Sequence, residues 1–188
     1  DPTSIGEFGV GFKAVFAYTN TPEVHSGDFH FRIHDLVVPE TDGVPRPKLG
    51  ERETRFVFPF DNPKKRREQA VEEVGRGLRA LGANTLMFLS HIRKIEYLLP
   101  DGELGTLERI EHDVGRIEIH TETSTTHWLR LQKNIEVEDE SGKSKACRIA
   151  IAYQLVSRDD KRIHPLQAGQ VSIYFPAEKE TSNLRFHI

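Results

Sequence analysis

Three glycines, Gly6, Gly9 and Gly11, stand in the spacing G-x-x-G-x-G within residues 4–16, SIGEFGVGFKAVF. They lead directly into Phe12-Lys13-Ala14-Val15-Phe16-Ala17-Tyr18, an apolar run without proline. Glycine reaches positive φ at no steric cost and leaves no Cβ to hold a ligand away. The first N–H groups of a helix have no partner within it, and the helix dipole adds positive character at the same end. A glycine loop that becomes a helix N-terminus is therefore an anion site, and phosphate is the usual anion. A tight turn before a core helix needs the same residue types, so spacing alone leaves both readings open. Lys13, on the first helical turn, either adds a point charge beside a phosphate or faces solvent.

Other nucleotide patterns are missing. No G-x-x-x-x-G-K-[ST] occurs, which removes a Walker-type loop. The glycine order is the reverse of the Rossmann G-x-G-x-x-G, and no buried strand precedes it. The V-A-I-K, H-R-D and D-F-G elements of protein kinases do not appear downstream.

The residues between the glycines narrow the reading. IGEFGVGFKAVF resembles the second glycine box of the GHKL (Bergerat-fold) ATPases, in the branch of heat-shock chaperones and sacsin-like proteins, where the pattern runs I-G-x-F-G-V-G-F. Gly6, Phe8, Gly9, Val10, Gly11 and Phe12 match it. The resemblance implies that backbone N–H groups from Glu7, Phe8, Gly9, Val10, Gly11 and Phe12 grip the phosphates of ATP, with Lys13 beside them and a movable lid before them. It implies two further boxes upstream. One carries a Glu that activates water and an Asn that holds magnesium; the other is a D-x-G-x-G that holds adenine. Neither is in this sequence, so the chain is expected to be a fragment, with the Mg ligand outside it and hydrolysis a property of the parent protein. In the family a later strand of the lobe opens with a G-T pair. Thr54 takes the Thr position and would reach adenine, although Glu53 replaces the Gly; an ordinary strand threonine is the other reading of Thr54. A cation from the second domain completes such sites in the family, and Arg93 and Lys94 are candidates between which the sequence does not choose.

The length of 188 residues suits one domain or two small ones. With 37% hydrophobic and 29% charged residues, the chain can bury a core beneath a highly charged surface. A net charge of −3 gives no drive toward nucleic acid or an anionic membrane. The single cysteine, Cys147, excludes an intramolecular disulfide, so a reducing, cytoplasmic compartment is expected. No apolar run approaches membrane-spanning length and no signal peptide is visible.

Elements must then position these residues. Residues 19–28 read as a polar loop. Residues 29–38 read as a strand, with Phe29, Phe31 and Ile33 on one face and His30, Arg32 and His34 on the other. His25, His30 and His34 fit no common zinc spacing, and a solvated or substrate-lining face is the better reading. Residues 54–60 form the next expected strand, with Pro59 placing it at an edge or an end. Asn62 and Pro63 read as N-cap and first residue of a helix over 63–81, with an apolar stripe at Val71, Val74, Leu78 and Leu81. The run Lys64-Lys65-Arg66-Arg67 falls in its first turn and joins Glu68, Glu72 and Glu73 in a mixed-charge surface. Gly82 is expected as its C′ residue, and a domain boundary near Ala83. Beyond it, strands are expected over 115–121, 127–137, 146–156, 170–175 and 185–188, with turns at 100–102 and 141–143. Trp128 reads as a core anchor and Cys147 as a small buried hydrophobe. Residues 136–140 form an acidic surface run without the EF-hand pattern.

The expected fold class is α+β: residues 1–83 as the C-terminal part of a Bergerat-type α/β sandwich, and residues 84–188 as the start of a strand-rich second domain. The expected function is that of an ATP-binding segment whose parent couples Mg-ATP to a conformational change. Its implied partners are ATP, the upstream remainder of its own lobe and, in the parent, a second copy. The alternative is a non-catalytic nucleotide-binding or protein-interaction module; the charge balance argues against nucleic acid.

Overall fold

A computed structural model describes residues 10–138, 142–160, 162–173 and 175–188. The chain forms two compact units, one within Gly6–Arg76 and the other built mainly from Gly77–Ile188. The class is mixed α/β, with mostly antiparallel sheets and few helices.

The first unit opens with α1 (Val10–Lys13), continued by a 3-10 turn over Ala14–Ala17. Four strands follow: β1 (Glu23–Ser26), β2 (Phe29–His34), β3 (Val38–Glu40) and β4 (Thr54–Val57). They form one antiparallel sheet in the order β3-β2-β1-β4. α2 (Arg67–Arg79) comes next, and the boundary between the units falls inside it.

Three expectations for this unit need correction. Residues 19–28 are not simply a loop, because β1 lies among them and pairs with both β2 and β4. Its inward residues are polar, which hid it: Glu23 and His25 are 8% and 1% exposed. Such burial holds only with partners. The Glu23 carboxylate accepts from Arg32 Nε at 3.0 Å, and His25 Nδ1 lies 3.2 Å from His30 Nδ1. The strand expected over 29–38 breaks after His34. Asp35 and Leu36 take φ of 49° and 70° within a three-residue connection that suits a hairpin, and β3 returns with Val38 opposite His34. Finally, the helix begins at Arg67 and not at Pro63. Asn62 Oδ1 accepts the Lys64 N–H at 2.8 Å and closes a separate turn, so Lys64, Lys65 and Arg66 precede the helix. β4 does lie at the sheet edge and ends before Pro59, as the proline requires.

In the second unit, α3 (Ala83–Met87) comes first. Gly82 opens it as N-cap instead of closing α2; its φ of −120° is not the left-handed value a C′ glycine takes. Then come β5 (Lys94–Leu98), β6 (Leu104–Glu111), a 3-10 turn over Asp113–Gly115, β7 (Arg116–Thr121), β8 (Thr125–Glu138), β9 (Ser144–Leu155) and β10 (Ile163–His164). These six strands form one antiparallel meander, β10-β9-β8-β7-β6-β5. β11 (Gly169–Ile173) and β12 (Phe175–Ser182) make a separate two-stranded ladder. The turn signals at 100–102 and 141–143 fall between paired strands, with Gly102 and Gly142 at φ of 88° and 77°; Ser141 lies outside the described residues. So do Asp139 and Glu140 of the acidic run, whose described members Glu136 and Glu138 are exposed. The strand expected over 185–188 does not form: His187 only bridges Ala152.

The core lies where α3 and the residues after it cover the meander. Leu86, Met87 and Leu89 pack on Leu107, Ile117, Ile119, Trp128 and Ala152, each leucine, isoleucine and methionine side chain contributing about 1.5–3 kcal/mol on burial. Trp128 is the anchor its position suggested, with Nε1 donating to Thr126 Oγ1 at 2.9 Å. Cys147 is only half-buried, against expectation. β7 pairs with β8 over 125–129 alone. Beyond the Arg130–Ala152 pair, among the described residues, β8 and β9 pair only with each other as far as Glu138 and Ser144. Cys147 sits on this two-stranded arm, in register with Ile135.

Two arginines fasten α3 to the sheet. Arg109 Nη1 donates to Leu86 O and to Leu89 O, and Arg130 Nη1 donates to Met87 O at 3.0 Å. The last carbonyls of a helix have no internal partner, and here guanidinium groups supply one. Among the described residues, no helix is long and apolar enough to cross a membrane.

Gly115 takes φ of 73°, and a Cβ added there would sit 2.3 Å from the Arg130 backbone oxygen. Gly115→Ala combines a left-handed conformation with a clash against backbone and should cost roughly 2–4 kcal/mol. Urea unfolding followed by Trp128 fluorescence measures it; an unchanged midpoint refutes it.

Candidate functional site

Of the glycine box, Gly6, Glu7, Phe8 and Gly9 lie outside the described residues. Val10, Gly11, Phe12 and Lys13 form α1, so the chain turns helical at the end of the box. Gly11 and Lys13 are exposed, and a Cβ built on Gly11 meets nothing within 4 Å. The glycine is not required by packing in this structure. Phe12 turns the other way. Its ring lies 6.2 Å from each of Phe16, Phe56 and Phe58 and edge-on to two of them, an arrangement aromatic quadrupoles favour.

Thr54 opens β4. Its hydroxyl lies 2.7 Å from Ser26 Oγ, its register partner across the β1–β4 ladder. Thr54 and Phe56 are two residues apart and so share one face of the strand. The structure therefore brings the helix after the glycine box onto the strand face that carries Thr54, with Phe12 as the contact.

A second set of contacts holds the C-terminal end of this helical segment. Asp61, just beyond β4, accepts from Thr19 Oγ1 at 3.1 Å, from the Asn20 N–H at 2.6 Å and from Thr21 Oγ1 at 2.5 Å. Asn62 Nδ2 donates to Phe16 O at 2.8 Å. Tyr18 lies 6.2 Å from the tilted Phe60 ring, sits beneath Lys65 Nζ at 4.3 Å and donates to Glu73 on α2 at 3.2 Å. Burial pushes the Asp61 carboxyl up, but the hydrogen bonds from Thr21, Asn20 and Thr19 outweigh it and hold the group below the usual carboxylate range. Sequence reasoning passed over Asp61, whose only local signal was the D-N-P turn.

The three histidines flagged by spacing separate. His25 and His30 contact each other, and His34 Nε2 pairs with Glu40 at 2.7 Å. Another histidine group, not singled out from the sequence, surrounds Glu118: His120 at 3.0 Å, and His112 and His127 at 3.5 Å each. The His120 hydrogen bond, opposed by burial and aided by the other two rings, holds the Glu118 carboxyl low. Among the described residues, no group of three or more His, Cys, Asp or Glu is placed to hold a metal ion.

The Asp61 brace makes a testable contribution. A carboxyl whose folded pKa lies below its unfolded value stabilises the fold above the unfolded value, ~3.9, and loses that stabilisation as pH falls through the folded one. Asp61→Ala should cost ~1–2 kcal/mol at pH 7, and the gap from wild type should close as pH drops below about 4. Thermal melts of both proteins between pH 7 and pH 2.5 check this; a gap that does not narrow refutes the charge-dependent part. Comparison with models of protein families, with curated proteins and with solved structures finds no match for this chain.

Proposed function

We propose that this chain carries the phosphate-binding part of an ATP-binding lobe of the GHKL (Bergerat-fold) type, followed by a strand-rich second domain. ATP is the ligand, with its magnesium held by residues outside this chain, upstream of it in the parent protein. Gly6, Glu7, Phe8, Gly9, Val10, Gly11 and Phe12 offer backbone N–H groups to the phosphates, Lys13 adds a cation, and Thr54 lies on the adenine side. The parent protein, a cytoplasmic ATPase that pairs with a second copy, uses nucleotide closure to change conformation.

One observation carries this reading. The I-G-x-F-G-V-G-F sequence runs without a break into a helical turn whose Phe12 packs on the strand that Thr54 opens. An exposed Gly11 with open space around its Cβ position adds support, since a glycine that packing does not need is free to serve a close ligand approach. A second reading, a protein-interaction module, draws on the aromatic face of the first sheet, where Phe29 and Phe56 are 72% and 50% exposed.

Gly11→Ala separates the two. Alanine fits sterically and favours helix by ~0.5–1 kcal/mol, so the variant should fold at least as stably as wild type. A thermal-shift titration with Mg-ATP is run on the intact protein and on this chain alone. ATP at a hundred times its Kd should stabilise the intact wild type by ~2.7 kcal/mol, and Gly11→Ala should lose most of that shift. If neither protein responds to Mg-ATP, the nucleotide reading is overturned and the interaction reading replaces it.

A further inference from the structure

The second unit holds an arginine-lined cleft unrelated to the glycine box. Arg109 on β6, Arg130 on β8 and Arg148 on β9 project from one face of the meander, the face that α3 covers. A cleft of about 200 Å3 opens there, lined by Ser90, Glu111, Arg130, Gln132 and Arg148, with Phe88 as an apolar wall. Among the described residues, Glu111 is the one carboxylate in that lining. Its Oε1 lies 3.0 Å from Arg130 Nη2 and 3.1 Å from Arg109 Nε. Among these described groups, three guanidiniums face one carboxylate, a local excess of two positive charges.

The structure carries signs of that excess. Arg109 is 3% exposed, and its buried Nε has no hydrogen-bond partner, because the approach to Glu111 is too misaligned to make one. Burial and the neighbouring Arg130 push its guanidinium pKa down, with Glu111 opposing. Burial pushes the Glu111 carboxyl up, but Arg130, Arg109 and Arg93 outweigh it and hold the group below the usual carboxylate range. The remaining donors suit an oxyanion. Arg148 Nη2 already reaches the Ser90 hydroxyl at 2.5 Å, and the Gln132 amide stands beside them. Guanidinium forks, a hydroxyl and an amide converging on a small concave space match the many acceptor oxygens of a tetrahedral dianion better than a planar carboxylate.

We propose that the cleft bounded by Ser90, Arg130, Gln132 and Arg148 is a binding site for the phosphate group of a small molecule. Arg130 and Arg148 hold its oxygens, and Arg109 with Glu111 fixes the floor.

The test is titration of the intact protein with inorganic phosphate, with sodium chloride holding ionic strength constant. Saturable binding is expected in wild type. Arg148→Gln should weaken it tenfold or more. Lys133→Gln removes the same charge from the exposed residue next to Gln132, on the opposite face of β8, and should leave binding unchanged. Arg148→Lys keeps the charge but loses the fork, and a several-fold loss is expected; it carries the test if Arg148→Gln fails to fold. The proposal is overturned if binding does not saturate, if Arg148→Gln and Lys133→Gln behave alike, or if Gly11→Ala and not Arg148→Gln abolishes it. That last outcome would place the phosphate at the glycine box, so the two sites fail independently.

Discussion

A buried guanidinium organises the second unit. Taking Arg109 out of water is costly, and an apolar side chain at that point of β6 would cost far less. What offsets the cost is the Leu86 carbonyl at the end of α3, itself without a helical partner, together with the Leu89 carbonyl just beyond the helix. Charge and carbonyls solve each other's problem, and the solution fixes where a five-residue helix lies on a six-stranded sheet. Such a short helix has little stability of its own. Its position therefore comes from Arg109 and Arg130 together with the apolar packing of Leu86, Met87 and Leu89. The cleft beside Ser90 is a by-product of the same arrangement, since the arginines that hold the backbone also leave unbalanced charge next to open space.

The first unit follows a related logic with a different group. α1 and the 3-10 turn span eight residues, too few to stand alone. They are held at one end by the Phe12 ring and at the other by Asp61 and Asn62. Both anchors come from the chain around β4. Whatever the glycine box binds, its helix is tied to the strand that opens with Thr54, so the two sequence-predicted ligand contacts belong to one structural piece.

The parts of this fold legible in the sequence are those where side-chain pattern and turn chemistry agree. The β7–β8–β9 meander shows alternation and a Ser-Gly-Lys turn, and α2 shows an apolar stripe. Where the reading failed, a polar residue had taken an apolar position. Glu23 and His25 face inward on β1, and Arg109 faces inward on β6 while Ile110 points out. Period-two patterns cannot reveal strands whose buried residues are charged and paired over a distance. The hairpin after His34 was hidden because Leu36, a residue that normally avoids positive φ, occupies its turn. The candidate site divides the same way. Gly11, Phe12 and Thr54 were visible as motif residues. Asp61 was not, because its role consists of hydrogen bonds to residues 40 to 42 positions earlier, and no local spacing encodes them.

The long β8–β9 hairpin has a dynamic consequence. Near its base each strand has neighbours on both sides, whereas from Leu131 to Glu138, among the described residues, the backbone hydrogen bonds join only two strands, with Leu131, Val137 and Ile149 substantially exposed. Isolated two-stranded ribbons are marginal in water. The outer half of this arm can therefore open without disturbing the meander, a sub-global event of lower free energy than unfolding. Arg148 pairs in register with Asn134 on that outer half. Its side chain reaches back to Ser90 and acts as a tether between the most labile stretch of sheet and the loop after α3. Hydrogen exchange of the arm and the geometry of the cleft are thereby one coupled equilibrium.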